Sequence, residues 1–350
     1  GSAWNLDKTG FFVENEDVSP ATPEGIFKMG IGQRIEFPTV YVARSQAAKA
    51  RIGLADAELS LAALDLERDV RLAWNALSQA VEEAAVLRSL DSLVAELGRV
   101  AELRHATGEV PLVEKASALA RRQQVAVQRE RAERAVAIAQ LELKRLLRTD
   151  TPLLPASPHP VDASLPDATI TAHPLLDRAE GEVLLAHQLK RVEGNRALPD
   201  MQGRWFNQRI YGVSDEFRGY SLTIGLPIAF WDQRGRIKGA SLQERIAREQ
   251  ADQQRADLSA AYGSVLTRAQ QAREAWQAYE GPLAEQAAVI ERGAATAYTA
   301  GEIGYVELTA LITQSTDLRL GRIQSRAAYA EALIQLDHFT GTLFPFTAQP

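Results

Sequence analysis

The heptapeptide GEVPLVE at residues 108 to 114 returns as GEIGYVE at residues 301 to 307, and the same offset of 193 residues aligns much of the chain with itself. Asp7 and Gly10 fall on Asp200 and Gly203. Ile31, Gly32, Ile35 and Phe37 fall on Ile224, Gly225, Ile228 and Phe230, and Leu143 falls on Leu336. A register that runs without a gap over about 140 residues per copy requires elements of equal length in both copies. The chain therefore reads as two versions of one unit, and any fold assigned to it has to be a duplicated one.

Within each unit the hydrophobic period changes from two to between three and four. Phe27, Met29, Ile31, Ile35 and Phe37 share one parity, as do Tyr220, Leu222, Ile224 and Leu226, which marks strands with one apolar face. The segments TGFFVEN and MQGRWFNQRIYG upstream are weaker strand candidates, each separated from its successor by a turn-rich stretch, so each unit is expected to open with a β-hairpin. After Pro38 the pattern is helical: Val86, Leu90, Leu93, Leu97 and Val100 step by four and three, and Ile52, Leu59 and Leu66 recur at sevens. Only the isolated Gly53 and Gly98 interrupt the stretch up to Gly108, which predicts a rod on the order of 100 Å long. Gly108 supplies a left-handed stop and Pro111 suits the start of a returning helix, so the repeated heptapeptide marks the tips of two helical hairpins.

The expected organisation is a strand pair at 7–38, a helical hairpin at 39–148 and a proline-rich connector at 149–171. A helix at 172–198, a second strand pair at 200–231, a second helical hairpin at 232–343 and a tail at 344–350 complete it. The counterpart of the helix at 172–198 would precede residue 5, so the first unit is expected to lack its leading helix. The fold class is mainly α with a small β part, a duplicated β-hairpin plus long antiparallel coiled-coil hairpin.

Composition removes several functions. A formal charge of −6 gives no electrostatic reason to bind nucleic acid. Zero cysteines exclude disulfides and thiolate metal sites, and no apolar run approaches the length of a transmembrane helix. His105, His159, His173, His187 and His338 show no metal-ligand spacing, and Met29 and Met201 lie far apart. GIGQRI lacks the third glycine and the short helix of a dinucleotide fingerprint, and no HExxH, GxSxG or P-loop occurs. No catalytic, cofactor or metal site is expected, and the chain is read as no enzyme.

Four strands of about ten residues with alternating faces have two solutions. They pack on the helices as a soluble sheet, or they join strands from other copies to close a membrane barrel, since an open edge is not tolerated in lipid. Trp205, Tyr211, Tyr220 and Trp231 fit either a membrane-interface belt or a soluble core, and Arg204, Arg209, Arg218, Arg234 and Arg236 gather around the second hairpin. The long helices with apolar residues on more than one face call for neighbours on both sides.

On these features the chain resembles the TolC-like outer-membrane channels of tripartite efflux pumps. The tip YTAGEIGYVELTA and the strand-to-helix stretch YSLTIGLPIAFWDQRGRIKGA are similar to that family's, and KMGIGQRIEFPTVYVARSQ looks most like the heavy-metal branch of CusC and CzcC type, including members fused to their pump. The resemblance implies a homotrimer with a 12-stranded barrel in the outer membrane, in contact with its lipid, and an α-helical tunnel in the periplasm. It implies a periplasmic adaptor and an inner-membrane RND pump as partners, heavy-metal cations as cargo, and no cofactor. It places Gly108, Glu109, Gly301 and Glu302 at the adaptor-docking tips, and Glu307, Glu114 and Tyr298 at the periplasmic aperture. Ile303 departs from members with an arginine there, and His105 stands in the first copy where Tyr298 stands in the second. A soluble periplasmic adaptor or scaffold is the competing expectation.

Overall fold

The computed structural model describes residues 6–16, 25–155, 165, 170, 172–226 and 230–341. Most of the proline-rich connector, the tail at 344–350, His159 and Ile228 lie outside the described residues. The chain is mostly helical with one small antiparallel sheet. In chain order the elements are β1 (Gly10–Glu16), β2 (Ile26–Ile35), α1 (Pro38–Ala106), α2 (Leu112–Leu147), α3 (Pro174–Asn195), β3 (Asp200–Ile210), β4 (Glu216–Gly225), α4 (Phe230–Ala278), α5 (Ala284–Thr299) and α6 (Tyr305–Thr340). Each hairpin of strands is followed by a helical hairpin, so the repeat seen in the sequence is a repeat of structure.

Helix α1 runs for 69 residues because nothing breaks it. Pro38 stands in the first turn, where a missing N–H costs nothing, and Gly53 and Gly98 are tolerated singly. The second copy differs. A π-helical turn at Tyr279–Leu283 joins α4 to α5 and contains Pro282. Proline has no N–H for the ladder and its ring clashes with the carbonyl of the preceding turn, so the helix widens there instead of continuing. Val86–Leu90, which the repeat aligns with this turn, carries no proline and stays within α1. The Tyr279 ring fills the space left by Gly321 of α6, where an added Cβ would lie 2.4 Å from it, and Arg322 donates two hydrogen bonds to Glu280.

The chain forms two compact units, one from residues 1–61 and 174–257 and the other from residues 62–173 and 258–350. The first holds the sheet, in the order β1-β2-β3-β4 with every neighbour antiparallel. Its helices are fixed by small residues: Ala43 and Ala47 of α1 pack on Val192 of α3, and Gly181 of α3 lies against Leu54. A charged clamp adds to this. Glu244 of α4 is buried and accepts hydrogen bonds from Lys190 Nζ at 2.9 Å and from His187 Nδ1 at 3.0 Å, both on α3, and from Arg248 one turn along α4.

In the second unit the apolar stripes of two helical hairpins meet. Leu90, Val94 and Ala101 of α1 and Ala118 and Val125 of α2 form one core with Ala294 and Tyr298 of α5 and Tyr305, Leu308 and Ile312 of α6. Of the residues at four-three spacing, Leu90 lies in this core and Leu93 and Leu97 pack against it. A second core joins Val265 and Ala269 of α4 to Ala332 and Leu336 of α6. Burial on this scale stabilises by roughly 25 cal/mol per Å² of apolar surface removed from water. The other stripe behaves differently: Ile52, Leu59 and Leu66 remain exposed.

Candidate functional site

The two repeated heptapeptides fold into the same loop. Gly108 (φ 80°) follows the end of α1, and its N–H donates to His105 O at 3.1 Å while Glu109 N–H donates to Arg104 O at 2.9 Å. Gly301 (φ 79°) follows α5, with its N–H donating to Tyr298 O at 3.1 Å and Glu302 N–H to Ala297 O at 2.9 Å. This pair of bonds around a left-handed residue is the Schellman stop, which satisfies carbonyls the helix leaves open and requires glycine for want of a Cβ. All four tip residues Gly108, Glu109, Gly301 and Glu302 are exposed. The next helices start from extended residues, Pro111 in one copy and Gly304 in the other.

Beneath the tips the copies diverge where the sequence does. His105 Nδ1 lies 3.0 Å from Val110 O within its own loop. Tyr298 is instead buried in the shared core, where its hydroxyl accepts a hydrogen bond from Arg104 Nη1 at 3.2 Å and the guanidinium lies 5.1 Å from its ring centroid. Glu307 is exposed in the first turn of α6 and Glu114 half-buried in the first turn of α2, each close to a helix N-terminus that favours its negative charge. Glu307 makes no ion pair among the described residues.

A cavity of about 770 Å³ lies below, lined by Ser117 and Arg121 of α2 and Tyr305, Thr309, Thr313 and Asp317 of α6. Arg121 Nη2 donates to Thr313 Oγ1 at 2.9 Å. The buried Tyr305 hydroxyl finds no hydrogen-bond partner among the described residues. Burial pushes this phenol up from its ordinary value, and nearby Tyr298 adds to the shift.

The sheet has two unlike faces, which the register fixes. Phe11, Ile31, Trp205 and Tyr220 form one row across all four strands. Val13 and Met29, and Ile35, Met201 and Ile224, belong to other rows on the same face. This face is uncovered: Tyr220 is 86% exposed, Leu222 67% and Phe11 66%. The other face carries ion pairs between strands, Arg204 with Glu14, Lys28 with Glu16 and Arg34 with Asp200. It is closed at the centre by a ring over glycine. An added Cβ on Gly30 would lie 2.1 Å from Trp205 O and 2.8 Å from Phe206 Cβ, and one on Gly219 would lie 2.7 Å from the Phe206 ring. The Arg204 guanidinium lies 3.7 Å from the Phe12 centroid. The outer edges of β1 and β4 pair with no further strand among the described residues.

Two polar clusters join residues too distant in sequence for spacing to find. One is the Glu244 clamp, in which hydrogen bonds from Lys190 and then His187 hold the carboxyl down at about 2. In the other, His338 Nε2 lies 2.8 Å from Asp65 Oδ1 and its ring is 5.6 Å from that of buried His173. No group of three or more potential metal ligands occurs among the described residues. No described helix is long and apolar enough to cross a membrane.

No family model and no curated protein matches the chain. Solved structures do. A membrane protein of Pseudomonas aeruginosa superposes with a TM-score of 0.83 at 15% identity over 97% of this chain and 85% of its own. The open-state MtrE outer-membrane channel of Neisseria gonorrhoeae gives 0.80 at 16% identity over 97% and 81%. CusC, described as undergoing conformational changes with folding and transmembrane channel formation, gives 0.73 at 12% identity over 97% and 82%. The duplicated hairpins, the two-faced sheet and the paired tips are thus arranged in the fold of solved outer-membrane channels.

Proposed function

We propose that the chain is one protomer of a homotrimeric outer-membrane duct, the passive exit of a tripartite efflux system whose other parts are a periplasmic adaptor and an RND pump. The observation that carries this reading is the uncovered apolar face of a sheet with two open edges. A soluble sheet hides such a face on a core, whereas here the opposite face carries the ion pairs of Arg204 with Glu14, Lys28 with Glu16 and Arg34 with Asp200, and the apolar face carries only Arg209 with Glu216, beside the turns. Strands β2, β3 and β4 are 10, 11 and 10 residues long, the length that crosses a bilayer when tilted. Because β1 and β4 run in opposite directions, copies joined edge to edge continue the antiparallel pattern. Three copies of four strands give a 12-stranded barrel, an even number within the bacterial range. The exposed stripe of Ile52, Leu59 and Leu66 supplies a helical surface for the neighbouring copies.

In this assembly the exposed tips at Gly108, Glu109, Gly301 and Glu302 meet the adaptor. Glu307 and Glu114 line the periplasmic mouth, with Tyr298 beside them. Like carboxylates repeated around a narrow opening favour cations and repel one another, which suits a mouth held open by a partner. The narrower cargo reading, heavy-metal cations, rests on the likeness of KMGIGQRIEFPTVYVARSQ to the heavy-metal branch; selection among metals would then lie with the pump.

The test is electrical. Detergent-extracted protein added to a planar bilayer is expected to give cation-preferring channels, and Glu307→Gln is expected to lower that preference without lowering insertion. Absence of any conductance from correctly folded protein would overturn the duct, and unchanged selectivity in Glu307→Gln would remove Glu307 from the mouth.

A further inference from the structure

On the apolar face of the sheet, charge is confined to one end. Alternate positions of all four strands make up this face, and its charged members are Arg209, Glu216 and Arg218, in the two rows nearest the hairpin turns. At the opposite end, where the strands pass into helices, the rows are Gln33, Gly203 and Leu222 and then Ile35, Met201 and Ile224, with no charge among them. On the duct reading, on which this inference rests, the helices are periplasmic. The charged rows then lie at the outer leaflet, facing lipid.

The geometry at that end is a small basic patch on an apolar floor. Glu216 accepts hydrogen bonds from Arg209 Nη2 and, at 3.1 Å, from Asn207 Nδ2. Arg218 is exposed and shares its row with Asn207, Met29 and Val13, of which Met29 is 42% and Val13 55% exposed. Two guanidiniums against one carboxylate leave a net positive charge. Each guanidinium presents five N–H donors, more than the single carboxylate occupies. An arginine facing hydrocarbon is costly at the bilayer centre and cheap at headgroup depth, so these positions match the level of the headgroups. A guanidinium pairs best with planar, bidentate acceptors such as phosphate.

We infer that Arg209 and Arg218 hold the headgroup phosphate of an outer-leaflet glycolipid, whose acyl chains lie along the apolar rows beside them. The occupant is a lipid because the basic patch is continuous with the apolar rows; a soluble anion would have no use for them. Glu216 orients Arg209 and also weakens the site, which gives the inference a sign that a structural role would not produce.

The experiment is native mass spectrometry of the detergent-solubilised full chain with added diphosphorylated lipid A, its dephosphorylated form, or inorganic phosphate with lipid A. Retention of the phosphorylated lipid on the trimer is expected to fall about tenfold in Arg218→Gln, the scale of one charge-assisted contact, and to rise in Glu216→Gln. Dephosphorylated lipid, which loses the contacts to both arginines, is expected to bind the original chain more weakly than the phosphorylated lipid binds Arg218→Gln, and millimolar phosphate is expected not to compete. Equal retention by all variants would overturn the site, as would equal retention of the dephosphorylated lipid. Full competition by phosphate would make it a free-anion site instead. The same spectra report the trimer, so a missing site on an intact trimer is distinguishable from failure of the duct reading.

Discussion

Arg104 and Tyr298 stand 194 positions apart and meet beneath the two hairpin tips, with the guanidinium donating to the phenol oxygen at 3.2 Å and lying 5.1 Å from its ring. This contact joins the end of α1 to the end of α5. Tyr298→Phe keeps the ring in the core and removes only the acceptor, so a loss of about 1 kcal/mol in urea-unfolding stability is expected. Tyr298→Ala leaves a cavity as well and is expected to cost about 3–5 kcal/mol. Equal losses in the two variants would mean that the ring contributes nothing.

The central glycines of the sheet supply a second test. A Cβ at Gly30 would lie 2.1 Å from the Trp205 carbonyl oxygen, whereas one at Gly203 meets nothing within 4 Å. Gly30→Ala forces backbone to move and is expected to destabilise by at least about 3 kcal/mol, at the upper end of overpacking costs. Gly203→Ala is expected to be harmless. Parallel thermal melts of the two variants check the contrast.

The Glu244 clamp predicts a response to acid. Its carboxyl is held down at about 2 by Lys190 and His187, so the folded state binds this proton less readily than the unfolded chain does. Stability from the clamp is therefore complete above the ordinary glutamate range and lost as pH falls from about 4.5 towards 2. Glu244→Gln is expected to flatten that part of the stability profile in acid titration, with the remaining carboxylates still contributing. An unchanged acid limb would show that the clamp does not contribute there.

What the sequence discloses here is what period and local stereochemistry govern. The strand alternation of Phe27, Met29 and Ile31, the four-three seam from Leu90 to Leu97 and the left-handed glycines at 108 and 301 each follow from a rule acting within a few residues. The π-helical turn was legible in principle, since Gly281 and Pro282 interrupt an otherwise helical run, but it lies where the copies differ, and a repeat marks only what they share. The Glu244 clamp and the His173–His338 contact depend on helices packing together across 54 to 165 residues, which no spacing within one helix encodes. At the tips, the glycines were visible as stops, while the burial of Tyr298 against Arg104 required both hairpins to be in place.

Edge-to-edge joining of the sheets is the central claim, and the absence of cysteine from the chain makes it directly measurable. Single cysteines placed at Phe11, Val13 or Asn15 of β1 are paired with cysteines at Arg218, Tyr220 or Leu222 of β4, a scan that covers neighbouring registers. After mild oxidation in detergent, at least one pairing is expected to give a covalent ladder that stops at three chains, because a disulfide forms only where Cα atoms approach within about 7 Å. A folded protein that stays single-chained in every pairing, or a ladder that runs on past three, would contradict the closed trimer.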